Sequence, residues 1–551
     1  MTDIPKSQYA VQLIGPDELI LNKSKEVFVP GPHQVLGKVE AVGLCFSDLK
    51  LLKQFSNHVR KSDVASGIDA AVLKEVPSYV PGDKPTVPGH EVVVRIAAVG
   101  PEVTDVKVGD RYLVQTDYRW LRTASNNGAF GYNFEGALQE YVLMDLRVIT
   151  SPDGESMLLP VGDELSGSAI ALVEPWACVE DAYASGERTM LKAGGRMVVV
   201  ADVDVPDGVI GRLVEKYGEP GEITCVGGLE VGVAAKSVSE VAQLEDGGYD
   251  DIIYFGSNPE TVEGLFAKVG KAGILNIVLC GGRFGRDIGA TVGRVHYGGI
   301  RVIGTVGSDP CESMEVIPEG DEIRPGDKVN VIGAGGPMGM MHTIRNICQG
   351  VERVSVYAGD LDDNRLETLS QIARPMAEKN GVEYKTYNPT KGEVTEKFDY
   401  AALMAPVSAL VAQAIKDAAD RGLINIFAGI PATVIGEIDL DMYIEKGLYF
   451  IGTSGSTLDD MKLMLGKAER GQLDTNVSVA AISGMEGATE GIRAVENRSI
   501  AGKIIVYPAC RSLGLVRLEE LGDKLPDVGV CLRDGLWTAE AEKMLLEGHS
   551  G

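Results

Sequence analysis

Positive charge is what this 551-residue chain has least of: 52 lysines and arginines face 79 acids, for a net charge of -27 at pH 7. A field of that sign repels nucleic-acid phosphates and anionic membrane surfaces, so neither is expected as a partner. It opposes anionic small molecules at long range too, although a local Arg or Lys pocket overrides it at close quarters. No apolar run approaches a membrane span, and residues 1–10 lack a basic stretch followed by an apolar one. A cytoplasmic location is therefore expected. The eight cysteines, at 45, 178, 225, 280, 311, 348, 510 and 531, form no Cys-x-x-Cys pair. That excludes a disulfide framework and leaves them reduced. Histidine is scarce as well, with six in all.

What is present suits a folded enzyme-sized protein. Hydrophobic residues make up 44% and charged residues 24%, a globular balance, and the length calls for three or four domains. Residues 35–48, 91–99 and 108–115 are short β-rich runs broken by Gly and Asp. From about residue 174, apolar strands alternate with longer helical stretches, the pattern of a doubly wound parallel sheet. That pattern occurs twice. GILNIVLCGG at 273–282 returns 149 residues later as GLINIFAGIP at 422–431, and IGTVGS at 303–308 returns after 148 as IGTSGS at 451–456. The leading strands, from Lys192 and Arg324, are only 132 apart, so the first copy is about 17 residues shorter. Three matches in order, each at the same place in a strand-helix unit, point to duplication.

Several motifs carry chemistry: GLCFSD at 43–48, PGHE at 88–91, GALQEYV at 136–142, EPWACV at 174–179 and GAGGPMG at 333–339. Taken singly, Cys45 reads as a core residue, His90 as a hydrogen-bonded one and Ser47-Asp48 as a turn. Together they resemble the zinc-containing medium-chain dehydrogenase family, and within it the polyol branch of sorbitol dehydrogenase and L-sorbose-1-phosphate reductase. The resemblance covers most of residues 30–510, except that members ordinarily have one nucleotide-binding domain.

The resemblance implies one catalytic Zn2+. Such an ion needs about three N, S or O ligands and one open position. Cys45 offers a thiolate and His90 an imidazole, while Glu91 and Glu174 match the family's carboxylate positions. Cys178, four residues beyond Glu174, is a rival, because the alcohol dehydrogenase branch uses a cysteine there. Ser47 matches the hydroxyl that passes on the substrate proton, and Asp48 an acceptor that orients His90. Phe46 and Lys50 depart from the family's Gly and His. With no cysteine between Cys45 and Cys178, a four-cysteine structural zinc is excluded by ligand count. The 44 residues between Cys45 and His90 include an insert with Asn57, His58, Arg60 and Lys61, either a border of the substrate pocket or a solvated loop.

In the second copy, VNVIGAGGPMGMM runs from strand through Gly333, Gly335, Gly336, Pro337, Met338 and Gly339 into a helix. A glycine-rich turn lets the main chain approach a pyrophosphate, and the helix N-terminus meets it with free N–H groups. Asp360, 27 residues past Gly333, stands where an acid binds the adenosine ribose, which favours NAD over NADP; Arg365 leaves room for the latter. Asp362 and Asp363 are alternatives, or helix caps. The first copy has Asp202, Asp204 and Asp207 at the corresponding turn, three carboxylates that would oppose a diphosphate, so it is expected to be structural.

The fold expected is thus α/β: a GroES-like β-rich catalytic domain over 1–185 completed by 475–510, a degenerate Rossmann domain over 186–312, an NAD-binding one over 313–474, and a helical tail over 511–551. In single-copy relatives two subunits join their sheets through the IGT-x-GS strand. Here strands 300–306 and 448–454 are expected to pair within the chain, giving a monomer with an internal pseudo-dimer, or else a homo-oligomer. The activity implied is hydride transfer between NAD and a secondary alcohol or ketone of a polyol, sugar or sugar phosphate. Two alternatives share these residues: a redox-neutral epimerase or lyase with tightly held NAD, and a non-catalytic binding protein on a decayed dehydrogenase fold.

Overall fold

A computed structural model describes residues 4–184, 186–392, 394–453 and 455–550. The chain divides into two compact units, Met1–Ala177 with Ser456–Gly551, and Cys178–Gly455. The expected limits at 185 and 474 lie beyond these breaks. The helix Leu458–Glu469, counted by sequence with the second nucleotide fold, belongs to the first unit.

The first unit is built on an eight-stranded sheet. Its spine is Gln34–Gly43 against Glu91–Val99, antiparallel, with Arg111–Val114 and Leu158–Pro160 beyond. Valines and isoleucines fill both faces of this spine: Val35, Val39, Val42, Val92, Val93 and Val94 are at most 1% exposed. On its other side the sheet is completed from far along the chain. Lys503–Val506 pairs with Gln34–Gly43, Val479–Ser483 runs parallel to it, and Val516–Arg517 closes the edge. The C-terminal segment is therefore not helical throughout, although it ends in the helix Ala539–His549. Glu542 on that helix is buried and accepts hydrogen bonds from the backbone N–H groups of Gly167 and Ser168, capping the short helix that precedes Glu174.

The second unit holds two six-stranded parallel sheets with the same order. Numbered by sequence within each, the strands run 3-2-1-4-5-6, the doubly wound arrangement of nucleotide-binding folds. The first sheet leads with Arg196–Ala201 and ends at the edge strand Arg301–Thr305; the second leads with Lys328–Ile332 and ends at Tyr449–Ile451. One hydrophobic core runs through both, from Val198 and Leu275 to Ile424 and Phe450. A short antiparallel pair, Ile288–Ala290 with Gly436–Ile438, ties them together.

The expected pairing of strands 300–306 and 448–454 takes a different form. Among the described residues no backbone ladder joins the two edge strands; Ser454 lies outside those residues. The Tyr443 hydroxyl stands between them instead, donating to Val302 O at 2.7 Å and accepting from Phe450 N at 3.0 Å. Glu187 makes a second bridge, accepting from Arg301 Nε at 2.6 Å and from the Tyr449 hydroxyl at 2.6 Å. Tyr449, Phe450 and Ile451 are each 1% exposed, so the edges are covered by side chains rather than by direct pairing.

Candidate active site

Cys45 ends the strand Gln34–Gly43 by one turn of chain and caps the helix Phe46–Gln54. Asp48, in that helix's first turn, accepts from Cys45 N with one oxygen at 3.1 Å and lies 3.1 Å from His90 Nδ1 with the other. One carboxylate thus sets the positions of both Cys45 and His90, and an Nδ1–H bound to Asp48 leaves Nε2 as the outward face of the ring. Gly89, at φ 98°, makes the turn that brings His90 in before the strand Glu91–Val99 begins. Glu91 opens that strand directly opposite Gly43. A Cβ on Gly43 would lie 2.1 Å from Glu91 Oε2, so the carboxylate occupies the space the missing side chain leaves.

Cys45 Sγ, a His90 ring nitrogen and a Glu91 oxygen lie within 4.8 Å of one another, the geometry of a shared metal ion. The Ser47 hydroxyl is 3.0 Å from Cys45 Sγ and 3.1 Å from His90 Nε2. Glu174, in the first turn of Val173–Ala184, falls outside the 4.8 Å group yet feels its charges. Burial above all, with Glu91 adding to it against His90, pushes its carboxyl up to about 7. Cys178, the rival to Glu174, stands one turn further along the same helix.

The donor set suits a divalent cation. Glu91 is fully buried, and its Oε2 has no hydrogen-bond partner among the described residues. Glu91, Cys45 and Glu174 all act on one buried lysine, Lys503. Burial works most strongly against the charged form of His90, but Asp48, Tyr132 and Cys45 together hold it well above the usual imidazole range. Two neighbours went unseen in sequence. Lys503, 412 residues from Glu91, donates to Glu91 Oε1 and to Leu44 O at 2.9 Å. Tyr132 packs its ring 5.9 Å from that of His90. Lys503 sits in an ordinary strand pattern and Tyr132 in a turn, so nothing local marks either.

The glycine-rich turn lies in the second unit. Gly333 adopts φ 87°, and Gly336 caps the helix Pro337–Cys348. A Cβ on Gly339 would meet Gly333 O at 2.2 Å, and one on Gly335 would meet Arg365 Cβ at 2.6 Å. Helix, turn and strand are thus drawn together as closely as glycine permits at Gly335 and Gly339, while a Cβ on Gly336 would meet only Gly333 O, at 3.9 Å, Pro337 is exposed and Met338 half-buried. Asp360 ends the strand Ser355–Gly359 and spends its oxygens on the loop itself, accepting from Gly335 N at 2.8 Å and Asp362 N at 3.0 Å. Asp362 caps the next helix, and Asp363 pairs with Lys391. In the first copy Asp202, Asp204 and Asp207 are all exposed, and Asp202 accepts from the Tyr254 hydroxyl.

Residues 31–153 match the family described as Alcohol dehydrogenase GroES-like domain. An Escherichia coli (strain K12) protein, YggP, is 26% identical over 246 residues, 41% of this chain and 57% of its own length. The chain thus spans little more than half of that relative. A mannitol-1-phosphate 5-dehydrogenase of Aliivibrio fischeri is 24% identical over 345 residues, 54% of this chain and 78% of that one. Among solved structures, 2R,3R-butanediol dehydrogenase from Bacillus subtilis superposes with a TM-score of 0.52 at 17% identity, covering 91% of this chain and all of that one. At that identity the likeness concerns the fold.

Proposed function

For a chain that carries an alcohol dehydrogenase GroES-like domain, we propose a zinc-dependent oxidoreductase that moves a hydride between NAD and a secondary alcohol or ketone of a polyol, sugar or sugar phosphate. The convergence of Cys45, His90 and Glu91 within 4.8 Å carries this reading. Cys45 and His90 would hold a Zn2+ ion, with a carboxylate from Glu91 or Glu174 as the third donor. Bound there, the ion supplies Lewis acidity toward the oxygen of the alcohol or ketone.

The chain's own residues do the rest. Asp48 fixes the His90 ring, Lys503 holds Glu91 in place, and the partly exposed Ser47 hydroxyl takes up the proton of the substrate alcohol as it gives its own to solvent. The turn from Gly333 to Gly339 receives the dinucleotide, with Asp360 and Arg365 at its adenosine end. Asp360 then exchanges its bonds within the loop for the ribose hydroxyls. The first copy keeps the sheet without the nucleotide, and the side-chain seam between copies takes the place of a subunit interface, so the chain acts as a monomer. Both copies descend from one duplicated unit.

Metal analysis with NADH absorbance tests this. Protein purified without chelator should hold one zinc per chain and reduce NAD with polyols or their phosphates, and Cys45→Ala should lose both. Turnover that persists without metal would overturn it.

A further inference from the structure

The 55–62 segment, inside the insert before His90, is pinned from beneath. Lys61 is fully buried and donates to Val80 O and to Lys84 O at 2.8 Å. Two side chains above this anchor converge on Tyr132. The His58 ring lies 5.1 Å from that of Tyr132, and the Arg60 guanidinium 5.6 Å from its centroid. Tyr132 is the residue whose ring adjoins that of His90. The Tyr132 ring is thus the common neighbour of His58, Arg60 and the candidate metal ligand His90.

Both side chains keep donors in reserve. Arg60 N donates to His58 Nδ1 at 3.2 Å, which makes Nδ1 the acceptor and leaves the proton on Nε2. Burial, reinforced by Arg60 and Lys50, lowers His58 to about 4, so it is a neutral donor at physiological pH. The Arg60 side chain is only 30% exposed, yet among the described residues its guanidinium makes no hydrogen bond. Its nearest anion is Asp117 at 3.4 Å, too long for a charge-assisted bond. Asp117 is already engaged by Asn127 and by Arg119 Nε at 3.2 Å. A partly buried guanidinium with unspent donors, within cation–π range of an aromatic ring, is placed to receive a further anion.

We propose that Arg60, with His58 beside it, forms a subsite for a terminal oxyanion, a phosphate ester or a carboxylate, on the end of the substrate remote from the reacting carbon. This rests on the oxidoreductase reading and narrows its substrate to an anionic polyol or sugar. It also explains how a chain of net charge -27 admits such a molecule: the long-range field is screened within about 10 Å, and one partly buried guanidinium decides the contact.

The test is NAD reduction with three compounds, a hexitol, its terminal phosphate ester and the corresponding aldonate, by wild type, Arg60→Gln and Arg60→Lys. The subsite predicts at least a tenfold preference in kcat/KM for an anionic compound over the hexitol, and which anion wins identifies the group. In Arg60→Gln that preference should fall roughly 10- to 100-fold, mainly through KM, with part retained in Arg60→Lys. A preference that is absent, or unchanged in Arg60→Gln, overturns the subsite and leaves the oxidoreductase reading standing. Should none of the three turn over, calorimetry with inorganic phosphate decides: binding lost in Arg60→Gln supports the subsite while the reading fails, and no binding overturns the subsite as well.

Discussion

The two α/β copies share a strand order and a hydrophobic core but differ at one turn. Each helix after the leading strand is capped by a glycine with a second glycine three residues on: Gly336 and Gly339 in the second copy, Gly208 and Gly211 in the first. In the second copy a Cβ at the later position would strike Gly333 O at 2.2 Å; in the first it would meet nothing within 4 Å. The sheet order is the same in both, and the close approach of helix to turn is what supports the proposed pyrophosphate cradle in the second copy. The first copy places the exposed Asp202, Asp204 and Asp207 at that turn, and on the proposed reading their charge opposes a diphosphate there.

The comparison breaks most severely where the copies meet. Arg301→Met leaves Glu187 buried without its guanidinium, and urea unfolding should show a loss of about 3–5 kcal/mol. If the copies were independent, the transition would split in two; one cooperative transition, shifted as a whole, is expected. Next, Gly339→Val pushes side chain into the backbone of Gly333 and Ala334, and NADH affinity by fluorescence should fall at least about 100-fold. The matching Gly211→Val should leave it unchanged within about twofold.

Smaller effects sharpen the same contrast. Asp360→Ala removes the carboxylate at the adenosine end, and NAD affinity should drop roughly tenfold, with less discrimination against NADP. Asp202→Ala in the first copy should do neither. The seam carries a pH signature too. Burial, with the charge of Glu187, raises Asp321 from 3.8 to about 8. Between those values the folded chain keeps a proton that the unfolded chain has lost, so stability from this group falls as pH rises from about 4 to about 8 and is level beyond. Asp321→Asn should flatten that slope in thermal melts.

The twin sheets were legible because strand and helix periods are local, and two copies of a pattern confirm one another. Cys45, His90 and Glu91 were legible as a set because short motifs brought them in order, and the structure brings them together. Lys503 was not, since a strand lysine joins Glu91 only through a pairing that spans the length of the chain. Glu174 shares their charges without closing the 4.8 Å group, a difference of side-chain reach that spacing does not encode. Direct pairing of the edge strands was expected from the way single-copy relatives join two subunits, carried over to the repeat. Tyr443, 141 residues from the carbonyl it binds, takes the place of that ladder, and no local pattern announces such a contact.

Nucleotide stoichiometry tests the central contrast most directly. Titration of the purified chain with NADH, followed by calorimetry, should give one site per chain, abolished by Gly339→Val in a variant whose melting confirms its fold. Two sites per chain, or one that survives Gly339→Val, would contradict the assignment of the nucleotide to the second copy.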